Sequence, residues 1–187
     1  MAKKAQSTLI NMLLSLTIIA VVAAAALAAV SNVTADPIAQ AQKQKKEAAI
    51  KAVLPAFDQL EEMEIEGVSC TKALNAAGEF TGMAIEAKSA KGFGGDLVAM
   101  VGFDAEGNIT GYQILQTAET PGLGAKAGEW FQEGQKGNVI GKNPANGLMV
   151  TKDGGDVDAI SGSTITSRAF CDLINNAYAI FQKGGNE

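Results

Sequence analysis

The sequence predicts an α+β protein in which an N-terminal transmembrane helix precedes one domain with an antiparallel sheet and packed helices. Three observations lead to this prediction: an uncharged apolar run near the N-terminus, a hairpin pattern in mid-chain, and a helical pattern at the end. A chain of 187 residues is long enough for one modest domain and an anchor. Strands that are joined by hairpins and followed by a helix favour α+β over a doubly wound sheet.

The apolar run extends from Leu9 to Val30 and contains no charged residue. Because a helix rises about 1.5 Å per residue, about 20 apolar residues cross a hydrocarbon core of about 30 Å. The run is longer than the apolar part of a typical signal peptide, which favours a retained membrane anchor over residues 1–35. A signal peptide cleaved after the small residues at 33–35 is the alternative.

The charges around this run predict its orientation. Lys3 and Lys4 precede it, and the first charge after it is Asp36, which favours a cytoplasmic N-terminus and a domain on the extracytoplasmic side. The lysines of residues 43–46 lie on the far side and weaken this bias.

Residues 36–55 predict a helical stalk between the anchor and the domain. The segment is rich in Ala, Gln and Lys, which are strong helix formers. Pro37 is acceptable at a helix start, and Pro55 ends the pattern. The remaining residues, 56–187, then form the domain.

The strands of the domain are read from alternation and from apolar, β-prone runs. Residues 56–80 give no clear pattern. The turn residues 105–108 separate two β-prone runs and predict a hairpin. The predicted strands are Met83–Lys88, Leu97–Asp104, Ile109–Gln116 and Leu148–Lys152.

A final helix is predicted from about Ser163 to Lys183, ending before the glycines at 184 and 185. The helical period places five apolar residues on one face: Ile165, Ala169, Leu173, Ala177 and Ile180.

Composition excludes several classes of function. The net charge of −5 argues against a nucleic-acid partner, and Arg168 is the one arginine of the sequence. The chain has no histidine, which removes Ser-His-Asp catalysis and most zinc sites, and no metal site is predicted. Cys70 and Cys171 form no CxxC motif and are either a disulfide or two buried thiols. Any redox chemistry must therefore come from a cofactor that needs no histidine, and no residue has the pattern of a general acid or base.

The segment before the last helix is rich in glycine and hydroxyl groups. Residues 153–167 read DGGDVDAISGSTITS. Free N–H groups and the helix dipole make such a helix start a good anion site. The alternative is that its Ser and Thr residues only cap the helix.

This segment resembles a known motif. Asp158-x-x-Ser161-Gly162-Ser163-Thr164 is similar to the D-x-x-[ST]-G-A-T flavinylation motif of the FMN-binding domain family. That domain occurs in the G subunit of the Rnf ion-translocating complex and in the C subunit of the sodium-pumping NADH:quinone reductase. In the family, a flavin transferase that uses FAD joins FMN to the last threonine through a phosphoester. The resemblance implies that this threonine is Thr164, with Ser163 where alanine is usual.

Two further segments carry the same resemblance. Glu119–Gly124 is similar to the ETPGLG loop of the family, and Gly92–Gly95 to its glycine-rich, aromatic-containing turn. The chain length is closer to the Rnf G subunit than to the longer quinone-reductase subunit. Beside covalent Thr164, the resemblance implies the cofactor contacts Ser161, Gly162, Ser163, Thr166, Glu119, Thr120, Gly122, Leu123, Gly124, Gly94 and Gly95.

Other residues near these motifs have two interpretations each. Lys126 is either a counter-charge for the phosphate or a solvated surface lysine. Trp130 and Phe131 either shield the flavin or pack in the core, and core packing is the commoner role. Asp158 either serves recognition by the transferase or caps the turn.

The resemblance implies a membrane-anchored electron carrier with covalent FMN. It would be a subunit of a redox-driven translocase and not a catalyst by itself. Its partners would be the other membrane subunits and the flavin transferase. The alternatives are the related quinone-reductase subunit, a stand-alone extracytoplasmic flavin reductase, and a binding domain without redox function.

Overall fold

A computed structural model describes residues 8–185 of the chain. It divides into two compact units, Met1–Gln44 and Lys45–Glu187. The first unit is helical from Leu9 onward, and the second unit holds the sheet and the remaining helices.

Helix α1 comprises Leu9–Val53 and contains the apolar run. An 18-residue window of it has a mean hydropathy of 2.7 and is fully exposed, so the helix is long and apolar enough to cross a membrane. Pro37 lies inside α1, whereas the sequence pattern placed it at the start of a separate stalk helix. A proline removes one backbone N–H, and the strong helix formers after it continue the helix. Lys3 and Lys4, which carry the orientation prediction, lie outside the described residues.

The second unit is built on an antiparallel five-stranded sheet in which each strand pairs with the next one along the chain. The hairpin predicted around residues 105–108 is confirmed, because β4 and β5 have the predicted bounds and pair with each other. The strands are β1 Gln59–Ile65, β2 Val68–Leu74, β3 Phe80–Ser89, β4 Leu97–Asp104 and β5 Ile109–Gln116.

Two strand assignments differ from the sequence pattern. Residues 56–80, which had no clear pattern, contain β1 and β2, joined by a tight turn in which Glu66 and Gly67 have φ of 52° and 78°. The predicted strand at Leu148–Lys152 is wrong: Val150 makes only an isolated bridge to Val157. Here the chain turns back through a 3-10 turn at Thr151–Asp153 and two glycines, so the run has no long strand to pair with.

Helix α3, Thr164–Gly184, packs on one face of the sheet and forms the main core with it. Three residues of its predicted apolar face, Ala169, Leu173 and Ala177, are fully buried. Ile165 is 49% exposed, because the first turn of α3 borders a surface cavity and not the core. The opposite face of the sheet is covered by the last turns of α1, where Ile50 and Val53 pack near Met100. A short helix α2, Ala127–Trp130, follows β5.

Candidate functional site

The three segments that carry the family resemblance meet at one cavity beside the N-terminus of α3. The cavity has a volume of about 390 Å³, within the range of about 300–1,000 Å³ that is usual for small-molecule sites. The lining residues come from the turn at Phe93, the loop at Glu119–Gly124, the turn at Lys152 and the start of α3. In full they are Phe93, Glu119, Thr120, Leu123, Gly124, Lys152, Gly162, Ser163, Thr164, Ile165 and Thr166.

Glu119 links these segments to one another. Its side chain is buried, and Oε1 accepts hydrogen bonds from the backbone N–H of Phe93 at 2.8 Å and of Gly94 at 3.3 Å. Its other oxygen, Oε2, accepts from the Thr166 hydroxyl at 2.8 Å. A buried carboxylate has to be satisfied by donors, and here three donors from two other segments do so. Glu119 therefore holds the wall of the cavity together.

The position of the Glu119 carboxylate explains why residue 124 is a glycine. A Cβ atom on Gly124 would lie 2.4 Å from Glu119 Oε2 and 2.6 Å from Thr166 Oγ1. Real Cβ atoms do not approach oxygen so closely, so the loop passes the carboxylate only because this residue has no side chain. Gly124, the last glycine of the ETPGLG segment, is thus needed for packing against Glu119.

Ser163 stands at the N-cap position of α3, but its side chain makes no capping hydrogen bond. The hydroxyl that supports this turn is Ser167 Oγ, which accepts from the Ile160 N–H at 2.9 Å and donates to the Ser163 carbonyl at 2.9 Å. Ser163 therefore does not cap α3 through its side chain, in contrast to the interpretation in which the serine and threonine residues only cap the helix. The positive end of the helix dipole points toward the cavity wall that carries Thr164.

Thr164 is half-buried, and its hydroxyl lies beside a lysine that the sequence did not single out. Lys152 Nζ donates to Thr164 Oγ1 at 3.2 Å. The neighbouring Asp153 is held by Arg168, whose Nε and Nη2 donate to the two carboxylate oxygens at 2.7 and 2.6 Å. This fork lowers the pKa of Asp153 and raises that of Arg168. Lys126, the lysine considered from the sequence, is exposed and does not line the cavity.

The structure separates the predicted contact residues into two groups. Thr164 and the predicted contacts at 119, 120, 123, 124, 162, 163 and 166 line the cavity. Four others do not line it: Gly94, Gly95, Gly122 and Ser161. Three lining residues were not among the predicted contacts: Phe93, Lys152 and Ile165. Lys152 acquires its position only because the segment 150–163 folds back on itself. Ile165 was predicted on the apolar core face of the last helix, but it is 49% exposed at the first turn of α3.

The aromatic pair after the ETPGLG segment belongs mainly to the core. Phe131 is fully buried and stacks on Phe170 with 4.1 Å between ring centroids. Trp130 is partly buried, and its Nε1–H donates to the Asp158 carbonyl at 2.8 Å. Neither aromatic side chain lines the cavity.

Both cysteines are free and buried. Burial raises the pKa of the Cys70 thiol to about 11 and that of Cys171 to about 12. Among the described residues, no group of His, Cys, Asp and Glu side chains has a metal-binding arrangement.

Comparisons with known proteins agree with the motif resemblance. Residues 92–179 match the FMN-binding domain family. The solved structure of NqrC from Shewanella oneidensis superposes with a TM-score of 0.50 at 20% identity, over 67% of each chain, which shows a shared fold. The second unit is thus a domain of the FMN-binding class.

Full-length relatives define the family more narrowly. The G subunit of the Na(+)-translocating ferredoxin:NAD(+) oxidoreductase complex of Acetobacterium woodii is 32% identical, over 90% of this chain and 89% of the relative. The G subunit of the ion-translocating oxidoreductase complex of Methanosarcina acetivorans is 31% identical, over 93% of this chain and 96% of the relative. The corresponding protein of Shewanella baltica is 30% identical, over 89% and 86%. The chain belongs to the family of G subunits of ion-translocating oxidoreductase complexes.

Proposed function

We propose that this chain is a membrane-anchored electron-carrier subunit of a redox-driven ion-translocating oxidoreductase complex, and that it holds FMN covalently on Thr164. The observation that carries the proposal is the convergence of the three family segments at one cavity, with the Thr164 hydroxyl in its wall. The full-length similarity to G subunits supports the role in a complex.

The cavity lining contains two chemically different kinds of group, and both suit FMN. Phe93, Leu123 and Ile165 are exposed apolar side chains in its lining, which suit a planar aromatic ring. Lys152 and the N-terminus of α3 beside Thr164 suit a phosphate group. The loop at Gly124 is drawn in against the Glu119 carboxylate, which leaves this space open.

FMN supplies the transfer of electrons, and the residues of this chain hold it in place. In the attachment step, the Thr164 hydroxyl oxygen forms a bond to the FMN-side phosphorus of FAD. The pyrophosphate P–O bond breaks, AMP leaves with the electron pair, and the hydroxyl proton passes to a base on the flavin transferase. Because the phosphoester is far from the ring, it retains the cofactor, while groups around the ring adjust its electronic properties.

The proposed setting is a complex in a membrane. Helix α1 provides the anchor, with the N-terminus cytoplasmic and the domain of residues 56–187 on the other side. The other membrane subunits are the electron-transfer partners, and a flavin transferase matures the chain. The similarity to subunits of complexes favours this function over a stand-alone reductase.

The test measures the amount of covalently bound flavin on the wild-type chain and on three variants. The chain is co-expressed with a flavin transferase, and in-gel fluorescence and intact mass are measured. We expect Thr164→Ala to carry no flavin, Thr164→Ser to carry some, and the control Ser163→Ala to be loaded like the wild type. Full loading of Thr164→Ala would show that the flavin is attached elsewhere and would refute the proposed site.

A further inference from the structure

We infer that Lys152 stabilises the negative charge that forms on the Thr164 oxygen during flavin attachment, and afterwards balances the charge of the phosphoester. The inference rests on the proposed attachment of FMN to Thr164. It assigns a charge-stabilising role to a residue outside the D-x-x-[ST]-G-A-T segment.

Lys152 and Thr164 meet at the cavity although they are 12 residues apart in the sequence. Lys152 lies in the 3-10 turn Thr151–Asp153, and Thr164 is the first residue of α3. The fold brings the two together at the cavity, where the ammonium of Lys152 donates to Thr164 Oγ1 at 3.2 Å. A cation at this distance favours the oxygen as it loses its proton, and it then faces the single negative charge of the phosphodiester.

The carboxylate nearest to Lys152 in the sequence is bound by another cation. Within residues 8–185, Lys152 takes part in no ion pair. The carboxylate next to it in sequence, Asp153, is occupied by the two-point hydrogen bonds from Arg168. The Lys152 charge also contributes to the lowered pKa of Asp153, but the hydrogen bond from Arg168 is the largest cause. Without Arg168, Asp153 would be free to pair with Lys152 and would compete with the phosphate for the lysine. Arg168 therefore acts indirectly, as a positioning residue that keeps the Lys152 charge for Thr164.

The charge balance of the step assigns a place to each group. Before attachment, the Lys152 ammonium faces a neutral hydroxyl. As the Oγ–P bond forms and the P–O bond to AMP breaks, Oγ loses its proton to the transferase and charge accumulates at this point. Lys152 keeps all its own protons throughout, so it contributes charge and no proton. Arginine at this position would preserve the effect, whereas a neutral side chain would remove it.

The experiment measures the rate of attachment to the full chain in detergent, with purified flavin transferase and FAD. Intact mass follows the product over time at several chain concentrations. We expect Lys152→Ala to lower kcat about tenfold or more, with little change in KM for the chain. Lys152→Arg should recover most of the rate, and Lys126→Ala, a matched exposed lysine, should react like the wild type. A wild-type kcat for Lys152→Ala, or a loss confined to KM, would overturn the inference.

A second set of variants tests the role of Arg168. Arg168→Gln releases Asp153, so attachment should slow, and adding Asp153→Asn to this variant should restore the rate. If Arg168 mattered only for folding, the double variant would be no faster than the single one, and the inference would fail. Absence of flavin from Thr164 in the wild type would instead refute the proposed function, so the two failures are distinguishable. Emission from the sole tryptophan, Trp130, verifies folding of every variant.

Discussion

Replacing Glu119 by alanine removes the carboxylate that ties the Phe93 turn and the start of α3 to the ETPGLG loop. The variant leaves the Phe93 N–H and the Thr166 hydroxyl without their 2.8 Å acceptors. The third bond, from the Gly94 N–H, is longer at 3.3 Å and adds less. Hydrogen bonds to charged groups contribute about 1.5–3 kcal/mol each, and water can replace part of this at the exposed Phe93 turn. We expect a loss of about 3 kcal/mol in the free energy of unfolding.

Glutamine at position 119 separates the effect of hydrogen bonding from that of charge. Its amide oxygen can accept from the Phe93 N–H, while its NH₂ group donates to Thr166 Oγ1, so both bonds persist in neutral form. We expect Glu119→Gln to lose only about 1 kcal/mol. The matched control is Glu133→Ala, which removes an exposed glutamate and should change stability by less than about 0.5 kcal/mol.

The assay is urea unfolding of the full chain in detergent, followed by Trp130 fluorescence. With a slope of about 2 kcal/mol per molar urea, Glu119→Ala should lower the midpoint by about 1.5 M. An unchanged midpoint for Glu119→Ala would refute the view that this carboxylate holds the cavity wall. Equal losses for the alanine and glutamine variants would show that the negative charge matters and the hydrogen bonds do not.

Two further predictions follow from packing and burial. Gly124→Ala should lower the free energy of unfolding by about 1–3 kcal/mol, because a Cβ atom has no room there. The control is Gly128→Ala, whose Cβ would lie 3.9 Å from its nearest neighbour and which should be tolerated in the same urea assay. The thiols of Cys70 and Cys171 have pKa values of about 11 and about 12, so at pH 8 about one in a thousand or fewer are ionised. Iodoacetamide should therefore modify the native protein slowly and the urea-unfolded protein quickly, and intact mass measures both. Rapid modification of the native protein would contradict the buried thiols, and resistance of the unfolded protein without reductant would indicate a disulfide.

The sequence predicted the hairpin well and the first two strands not at all. Strands β4 and β5 consist of apolar, β-prone runs on either side of a clear turn, so local pattern determines them. Strand β1 reads QLEEMEI and lies at the sheet edge, where its glutamates are exposed, so burial supplies little apolar signal. The run at 148–152 has strand-like composition but folds back through the glycines at 154 and 155, which short-range pattern did not capture.

The candidate site was predictable as motifs but not as geometry. The family resemblance selected the Thr164 segment, the Glu119 segment and the Phe93 turn, and the fold brings all three to one cavity. The resemblance also implied that Glu119 contacts the cofactor, and the structure adds that this side chain lines the cavity while its two oxygens accept hydrogen bonds from the chain itself. Lys152 gave no sequence signal, because its distance to Thr164 depends on how the chain between them turns back.

The order of the elements along the chain has a consequence for the timing of folding. Each strand pairs with the one made just before it, so the sheet can form from local hairpins as the chain is synthesised. Helix α3, which is translated after all five strands, both closes the main core and carries Thr164. Until α3 has docked, the sheet exposes its apolar face and the cavity lacks a wall. Core closure and completion of the cavity are thus one folding event, and a nascent chain that stalls before α3 has neither.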